Sequence, residues 1–110
     1  MRAPAPNVRQ PLITDEQDIY IAARSLKAMA HPLRLKILCV VGSRTEVCVQ
    51  DIVDQVGTSQ SNISQHLSIL RDKGILAFRK DANKVYYRIS DARIVKLIDS
   101  LREAFCGAQE

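Results

Sequence analysis

Two amphipathic segments separated by a single glycine occupy the middle of the sequence. The apolar residues of both segments recur at helical spacing; they are Ile52, Val53 and Val56 in the first, and Ile63, Leu67 and Leu70 in the second. Gly57 ends the first segment, Ser59 can cap the second, and Gly74 follows its end. A short helix, a glycine turn and a longer helix in this order predict a helix-turn-helix.

The second segment contains "TSQSNISQHLSIL", residues 58–70, which carries no formal charge at neutral pH. Surface helices usually carry charged residues, but the first one here is Arg71. Glutamine pairs well with adenine in the major groove of DNA, and serine serves either base type. We therefore predict double-stranded DNA as the partner, with bases read by Gln60, Ser61, Ser64 and Gln65. For His66, between the polar and apolar faces, a role in packing or phosphate binding is expected.

The net charge of the 110-residue chain is +4, and the whole excess lies between residues 71 and 88. A local basic surplus beside an uncharged polar helix favours a polyanionic partner, whereas a diffuse surplus would indicate solubility only. A solvated charged hairpin is the simpler alternative. We predict that four residues of this stretch bind backbone phosphates: Arg71, Arg79, Lys80 and Lys84.

The N-terminal part of the chain predicts an arm followed by two helices. Three of the four prolines lie within residues 1–13, which we expect to form a flexible arm, while residues 14–110 form one domain. Thr14 or Asp15 can cap a helix that runs to about Ala30. The next segment, "PLRLKILCVV", is apolar on nearly every side and predicts a buried helix that ends at residues 42–43.

The C-terminal part predicts a β-hairpin and a last helix. Inward residues alternate along two strands, Leu76 and Phe78 in one, and Val85, Tyr87 and Ile89 in the other. The turn falls at residues 81–83, where Asn83 tolerates a positive φ. Ser90 can cap the last helix. The chain thus predicts a mainly α fold with a small β-hairpin, a winged helix-turn-helix of four helices, two strands and a fifth helix.

Three segments resemble the ArsR/SmtB family of bacterial repressors: "HPLRLKIL", "SQSNISQHLSILRDKGIL" and "KVYYRIS". The similarity covers roughly residues 18–106. It implies a homodimer joined through the first and last helices, and repression of an operator that is relieved by an inducer. The apolar stripes on residues 15–30 and 91–106 exceed what one small domain needs, which agrees with a dimer.

Metal sites of the family match this chain poorly. The family's "ELCVCDL" site corresponds to "EVCVQDI", in which Cys48 is present but Gln50 replaces the second cysteine. A lone thiolate holds a soft ion poorly. The final helix has Asp91, Asp99 and Glu103 but no histidine, so the family's zinc or nickel site is not expected there.

The two remaining cysteines, in "LKILCVV" and "EAFC", resemble the sulfide- and persulfide-responsive branch of the family. That resemblance implies redox sensing by Cys39 and Cys106, which form a dithiol switch when a small thiol-reactive inducer links their sulfurs. No cofactor is implied. Judged from the residues alone, a cysteine in an apolar run is more often a small hydrophobic residue.

Several other functions remain open at this point. The same module could use Cys48 with Cys39 and Cys106 to bind arsenite or a soft cation. A thiol enzyme such as a peroxidase is a remote alternative, because no histidine, arginine or threonine accompanies a cysteine in a recognisable motif. A winged helix used for protein contacts is another. Because the sequence has no long apolar run and no signal-peptide pattern, we expect a cytoplasmic protein.

Overall fold

The computed structural model describes residues 11–106, so most of the predicted N-terminal arm lies outside the described residues. The predicted order of elements is confirmed, with one short strand added before the third helix. The elements are α1 (Glu16–Met29), α2 (Pro32–Gly42), β1 (Val47–Cys48), α3 (Val49–Val56), α4 (Gln60–Asp72), β2 (Leu76–Asp81), β3 (Lys84–Ile89) and α5 (Ala92–Cys106).

Side-chain caps determine where the helices begin. Asp15 accepts the Gln17 amide N–H at 2.7 Å at the start of α1, and Ser59 accepts the Asn62 amide N–H at 3.2 Å at the start of α4. The cap predicted for α5 was wrong. Asp91 accepts the Arg93 amide N–H at 2.8 Å, whereas the Ser90 hydroxyl donates to the carbonyl oxygen of Gly74. Asp91 takes this position because α5 begins one residue later than its Ser90 cap would require.

Residues with a positive φ occur in the turn between α3 and α4, in the turn after α4 and at the tip of the hairpin. Gly57, at the end of α3, has a φ of 86°, and its amide N–H donates to the carbonyl oxygen of Val53. In the hairpin the positive φ of 56° belongs to Ala82 and not to Asn83, which corrects the prediction. Because Asp81 still pairs with Lys84, only two residues remain for the connection, and the first of them takes the left-handed conformation.

The sheet has three antiparallel strands in the order β1-β3-β2. The two-residue strand β1 pairs Val47 with Tyr87 and Cys48 with Tyr86, which anchors β3 to the body of the domain. Along β2 only Leu76 is buried. Phe78, predicted to face inward, is 43% exposed because β2 extends beyond the core from this point, so the hairpin forms a projecting wing.

The core lies between the helix-turn-helix and the base of the wing. α2 occupies its centre and packs against α3, α4, α5 and β3, which explains the nearly continuous apolar sequence of this helix. The largest fully buried side chains come from α1, α2, β1, α3, α4 and the turn after α4: Met29, Ile37, Leu38, Val41, Val47, Ile52, Ile63, Leu67, Leu70 and Ile75. Because three of them belong to α4, the core holds that helix with its opposite face towards solvent.

Candidate nucleic-acid interface and thiol pair

The predicted base-reading residues lie together on the exposed face of α4. Gln60, Ser61, Ser64 and Gln65 are all exposed and, with Ser68, line one shallow concave surface. The neighbouring Asn62 is half-buried, and its side-chain amide donates to the Thr58 hydroxyl at 3.3 Å. An uncharged surface rich in hydrogen-bonding groups on the first turns of α4 suits base edges in a major groove.

A cleft of about 480 Å³ joins this surface to the wing. Gln60 and Ser64 line one wall, and Lys84 and Asn83 at the tip of the wing line another. The structure therefore places a lysine beside α4, which carries the predicted base-reading residues and is called the reading helix below. A phosphate contact by Lys84 beside base contacts by α4 stays a prediction.

The four predicted phosphate ligands fall into two pairs. Arg79 is held by Glu46, whose carboxylate accepts from Nε at 3.0 Å, and its guanidinium lies 4.5 Å from the ring centroid of Tyr86. Arg71 lies 5.2 Å from the ring centroid of Phe78 and 3.6 Å from the carboxylate of Asp72. Both arginines thus have partners within the chain, and their phosphate contacts stay a prediction.

The two lysines among the four predicted phosphate ligands differ from the arginines. Lys80 and Lys84 are exposed, and neither forms an ion pair with another residue of the range 11–106. Glu46 was missed in the sequence because it lies 33 residues from Arg79, and no local pattern relates the two. The hydrogen bond from Arg79 lowers the pKa of the Glu46 carboxyl, so this tie persists at neutral pH.

The predicted thiol pair lies on two helices that pack together, with Cys39 in α2 and Cys106 as the last residue of α5. Cys39 and Cys106 are free and exposed in the single chain. The prediction that Cys39 lies within a buried helix needs correction, because α2 buries Ile37, Leu38 and Val41 while residue 39 falls beside that stripe. Partial burial, and secondly the nearby Cys106 thiol, raises the pKa of Cys39. The Cys106 thiol therefore lies near enough to Cys39 to act on its pKa.

Cys48 belongs to a different part of the molecule. It is half-buried in β1 and lines the cleft shared by α4 and the wing. Gln50, which replaces the family's second cysteine, donates to Asp54 at 3.0 Å. Among the residues that the structure describes, no three histidine, cysteine or acidic side chains lie close enough to hold a metal ion. The three thiols are thus not gathered into one site within a single chain.

Apolar side chains remain uncovered on the two terminal helices. Leu26 of α1 is 49% exposed and Phe105 of α5 is 77% exposed, and both belong to the apolar stripes that exceed what one small domain needs. A groove of about 630 Å³ between the two helices is lined by Ile13, Leu26 and Leu97, among others. These residues form an uncovered apolar surface on the two helices that the family resemblance assigns to the predicted dimer. Between residues 11 and 106, no helix is both long and apolar enough to traverse a lipid bilayer.

An uncharged reading helix, a basic wing beside it and apolar terminal helices define a winged-helix DNA-binding regulator. Residues 31–77 match the family model described as bacterial regulatory protein, arsR family. The Biofilm growth-associated repressor of Xylella fastidiosa strain 9a5c is 35% identical over 88 residues, 80% of this chain and 76% of that protein. The chain belongs to the ArsR family of bacterial regulatory proteins, which confirms the resemblance.

Solved structures agree with this assignment. HlyU from Vibrio cholerae N16961 has a TM-score of 0.79 and 36% identity, covering 84% of this chain and 99% of that one. A structure of reduced HlyU from the same source has a TM-score of 0.77 and 36% identity, covering 83% and 95%. The relatives are named as transcriptional regulators, so this chain is a DNA-binding regulator and not an enzyme.

Proposed function

We propose that the protein is a cytoplasmic, homodimeric transcriptional repressor that leaves its operator when a reactive sulfur species or an oxidant links Cys39 to Cys106. Exposed Gln60, Ser61, Ser64 and Gln65 support base reading by α4. Lys80 and Lys84, which are exposed and form no ion pair within residues 11–106, support phosphate binding by the wing. The name of the Xylella relative supports repression. The observation that carries the proposed switch is the placement of Cys39 on α2 and of Cys106 at the end of α5, two helices that pack together, with the Cys106 thiol near enough to raise the pKa of Cys39.

The proposed chemistry consumes two thiols and one persulfide. The Cys39 thiolate attacks the outer sulfur of R–S–SH, which forms Cys39–S–SH and expels RS⁻. The Cys106 thiolate then attacks the Sγ of Cys39, expels HS⁻ and closes a disulfide. The protein is oxidised by two electrons, and the persulfide is reduced to RSH and H₂S. A second persulfide can first lengthen the chain by one sulfur, and the attack of Cys106 then gives a trisulfide.

A longer bridge relaxes the geometric demand of the reaction. A direct disulfide requires the two Cα atoms to lie within about 7 Å, whereas each added sulfur extends the reach. Closing either bridge ties the end of α5 to α2. Since α2 also packs against α4, and α5 carries part of the proposed dimer surface, such a tie can change the spacing of two reading helices.

Operator release by single-cysteine variants tests the switch. We expect a persulfide donor to release the wild type from its own promoter DNA, with mass spectrometry finding a bridge between peptides containing Cys39 and Cys106. Cys39→Ser and Cys106→Ser should each bind DNA but not respond, because a bridge needs both sulfurs. Cys48→Ser is the matched control and should respond normally.

The pH dependence of the reaction gives an independent check. Since the pKa of Cys39 is raised, the thiolate is a minor form at pH 7, and the rate of its modification should increase about tenfold between pH 7 and pH 8.

Normal release of Cys39→Ser would refute the proposed pair. A response to arsenite that is lost only in Cys48→Ser would replace the sulfur inducer with a metalloid.

A further inference from the structure

One guanidinium outside both sites joins three helices. Arg34, in the first turn of α2, donates from Nη1 to the carbonyl oxygen of Ala28 in the last turn of α1, at 3.0 Å. It also donates from Nε to Nδ1 of His66, in the middle of α4, at 3.1 Å. His31, which caps α2, lies against His66 with the ring centroids 4.7 Å apart. The reading helix is thus tied to the helix that carries the proposed dimer surface.

These hydrogen bonds determine the protonation state of the imidazole. Because Nδ1 of His66 accepts from Arg34, it carries no proton, and the ring is the neutral form with its hydrogen on Nε2. A proton on Nδ1 would face the Arg34 N–H, so that two donors would oppose each other. It would also place a positive charge beside the guanidinium.

Among residues 11–106, no group near His66 stabilises the charged ring. Within residues 11–106, the charged or titratable groups that act on it are His31 and Arg34, and α1, α3 and β2 contribute no carboxylate. Burial, then His31 and then Arg34 lower the pKa of His66 below its ordinary value of 6.5. Nδ1 of His31 is also a hydrogen-bond acceptor, because it accepts the Leu33 amide N–H at 3.1 Å.

We propose that the Arg34–His66 hydrogen bond is the link through which α1 and α2 position the reading helix, and that protonation of His66 opens this link and weakens operator binding in acid. The inference rests on the proposed binding of operator DNA by α4. His66 follows Gln65 directly, so a movement of α4 at this point displaces the base-reading surface. Arg34 and His66 are therefore positioning residues that do not need to contact DNA.

The direction of the pH dependence follows from the lowered pKa. At pH 7.5 His66 is neutral and the link is closed. A free histidine takes up its proton as the pH falls through 6.5. In the folded protein the closed link resists protonation, so His66 stays neutral until the pH falls below its lowered pKa. Below that value the fraction of closed links falls. The apparent Kd should then rise by up to about tenfold for each pH unit per subunit, or up to about a hundredfold for a dimer that needs both links closed.

Operator binding between pH 7.5 and pH 5.0 tests the proposal in four proteins. The wild type should weaken as the pH falls. His66→Asn places an uncharged acceptor near the position of Nδ1, so it should bind like the wild type at pH 7.5 and lose the decline. His31→Asn, which retains the helix cap, should keep the decline. Arg34→Lys cannot reach both acceptors and should bind more weakly throughout. The chain has only two histidines, so the two asparagine variants separate the contribution of His66 from that of His31.

Two results would overturn the proposal: parallel declines in the wild type and His66→Asn, or a wild type that does not weaken. If none of the proteins binds its promoter at pH 7.5, the proposed function fails, and NMR then tests the link by itself. Loss of the Arg34 Nε–H signal together with shifts along α4 as His66 titrates would support it. Titration of His66 at or above its ordinary pKa, with α4 unchanged, would refute it.

Discussion

At the scale of single residues, the proposed base reading and the proposed phosphate binding rest on different kinds of side chain. The polar side chains of α4 are short and uncharged, while the lysines of the wing are long and unpaired in the described residues. Contacts to bases carry sequence information, and contacts to phosphates supply affinity for any sequence. Exposure could be predicted for Gln60 and Ser64 because helical periodicity assigns faces. The partner of Arg79 could not, because a contact between distant segments leaves no local pattern.

Replacing Gln60 or Ser64 with alanine should therefore affect one kind of DNA more than another. We expect a loss of about 1–3 kcal/mol on the specific operator and a much smaller loss on random DNA. Fluorescence anisotropy with both duplexes measures the difference. Gln17→Ala, which removes an exposed amide from α1, is the control and should change neither affinity. Equal losses on the two duplexes would remove these residues from base reading.

At the scale of elements, the wing is the part that the sequence predicted least completely. Its two long strands were predictable from alternation, but β1 has only two residues, which is too short for any periodicity to appear. The inward position of Phe78 failed for a related reason. Alternation predicts which residues share a face, whereas the amount of core beneath that face depends on how α4 and β2 meet in three dimensions. The cap of α5 failed by one residue, as helix ends often do.

The wing's contribution to DNA binding should appear in its dependence on salt. If Lys80 meets a phosphate in each subunit of a dimer, Lys80→Ala should lower the slope of log Kobs against log salt by about two. Glu46→Gln should act in the opposite direction, because it frees Arg79 for a phosphate. Affinities measured at several salt concentrations test both variants. An unchanged slope for Lys80→Ala would place that lysine outside the interface.

At the scale of the whole molecule, a single chain leaves apolar residues of its first and last helices exposed. Ile19, Leu26 and Phe105 are exposed apolar residues on α1 and α5, the helices that the family resemblance assigns to the dimer. The periodicity predicted these stripes correctly as apolar. Periodicity alone does not show whether these stripes pack against the same chain or against a second one, because both arrangements bury the same residues. The structure of one chain supports the second arrangement by leaving them uncovered.

A charge at the centre of this surface should separate the subunits. Leu26→Glu should give monomers that bind DNA poorly, because a dimer would have to bury an unpaired carboxylate. Since Leu26 is half exposed, the monomer itself should remain folded. Sedimentation velocity and circular dichroism measure the two properties. Gln17→Glu adds the same charge on the far side of α1 and should stay dimeric, while a dimeric Leu26→Glu would locate the interface elsewhere.

The left-handed alanine at the tip of the wing restricts which sequences this position can accept. A φ of 56° costs an ordinary L-residue about 1 kcal/mol, glycine nothing and asparagine little. β-branched residues are least compatible with it, because their side chains crowd the backbone in this region. Among descendants of this chain, replacements of Ala82 should run towards glycine and asparagine and away from valine and isoleucine. That filter acts on the backbone, so it would hold whichever operator the wing faces.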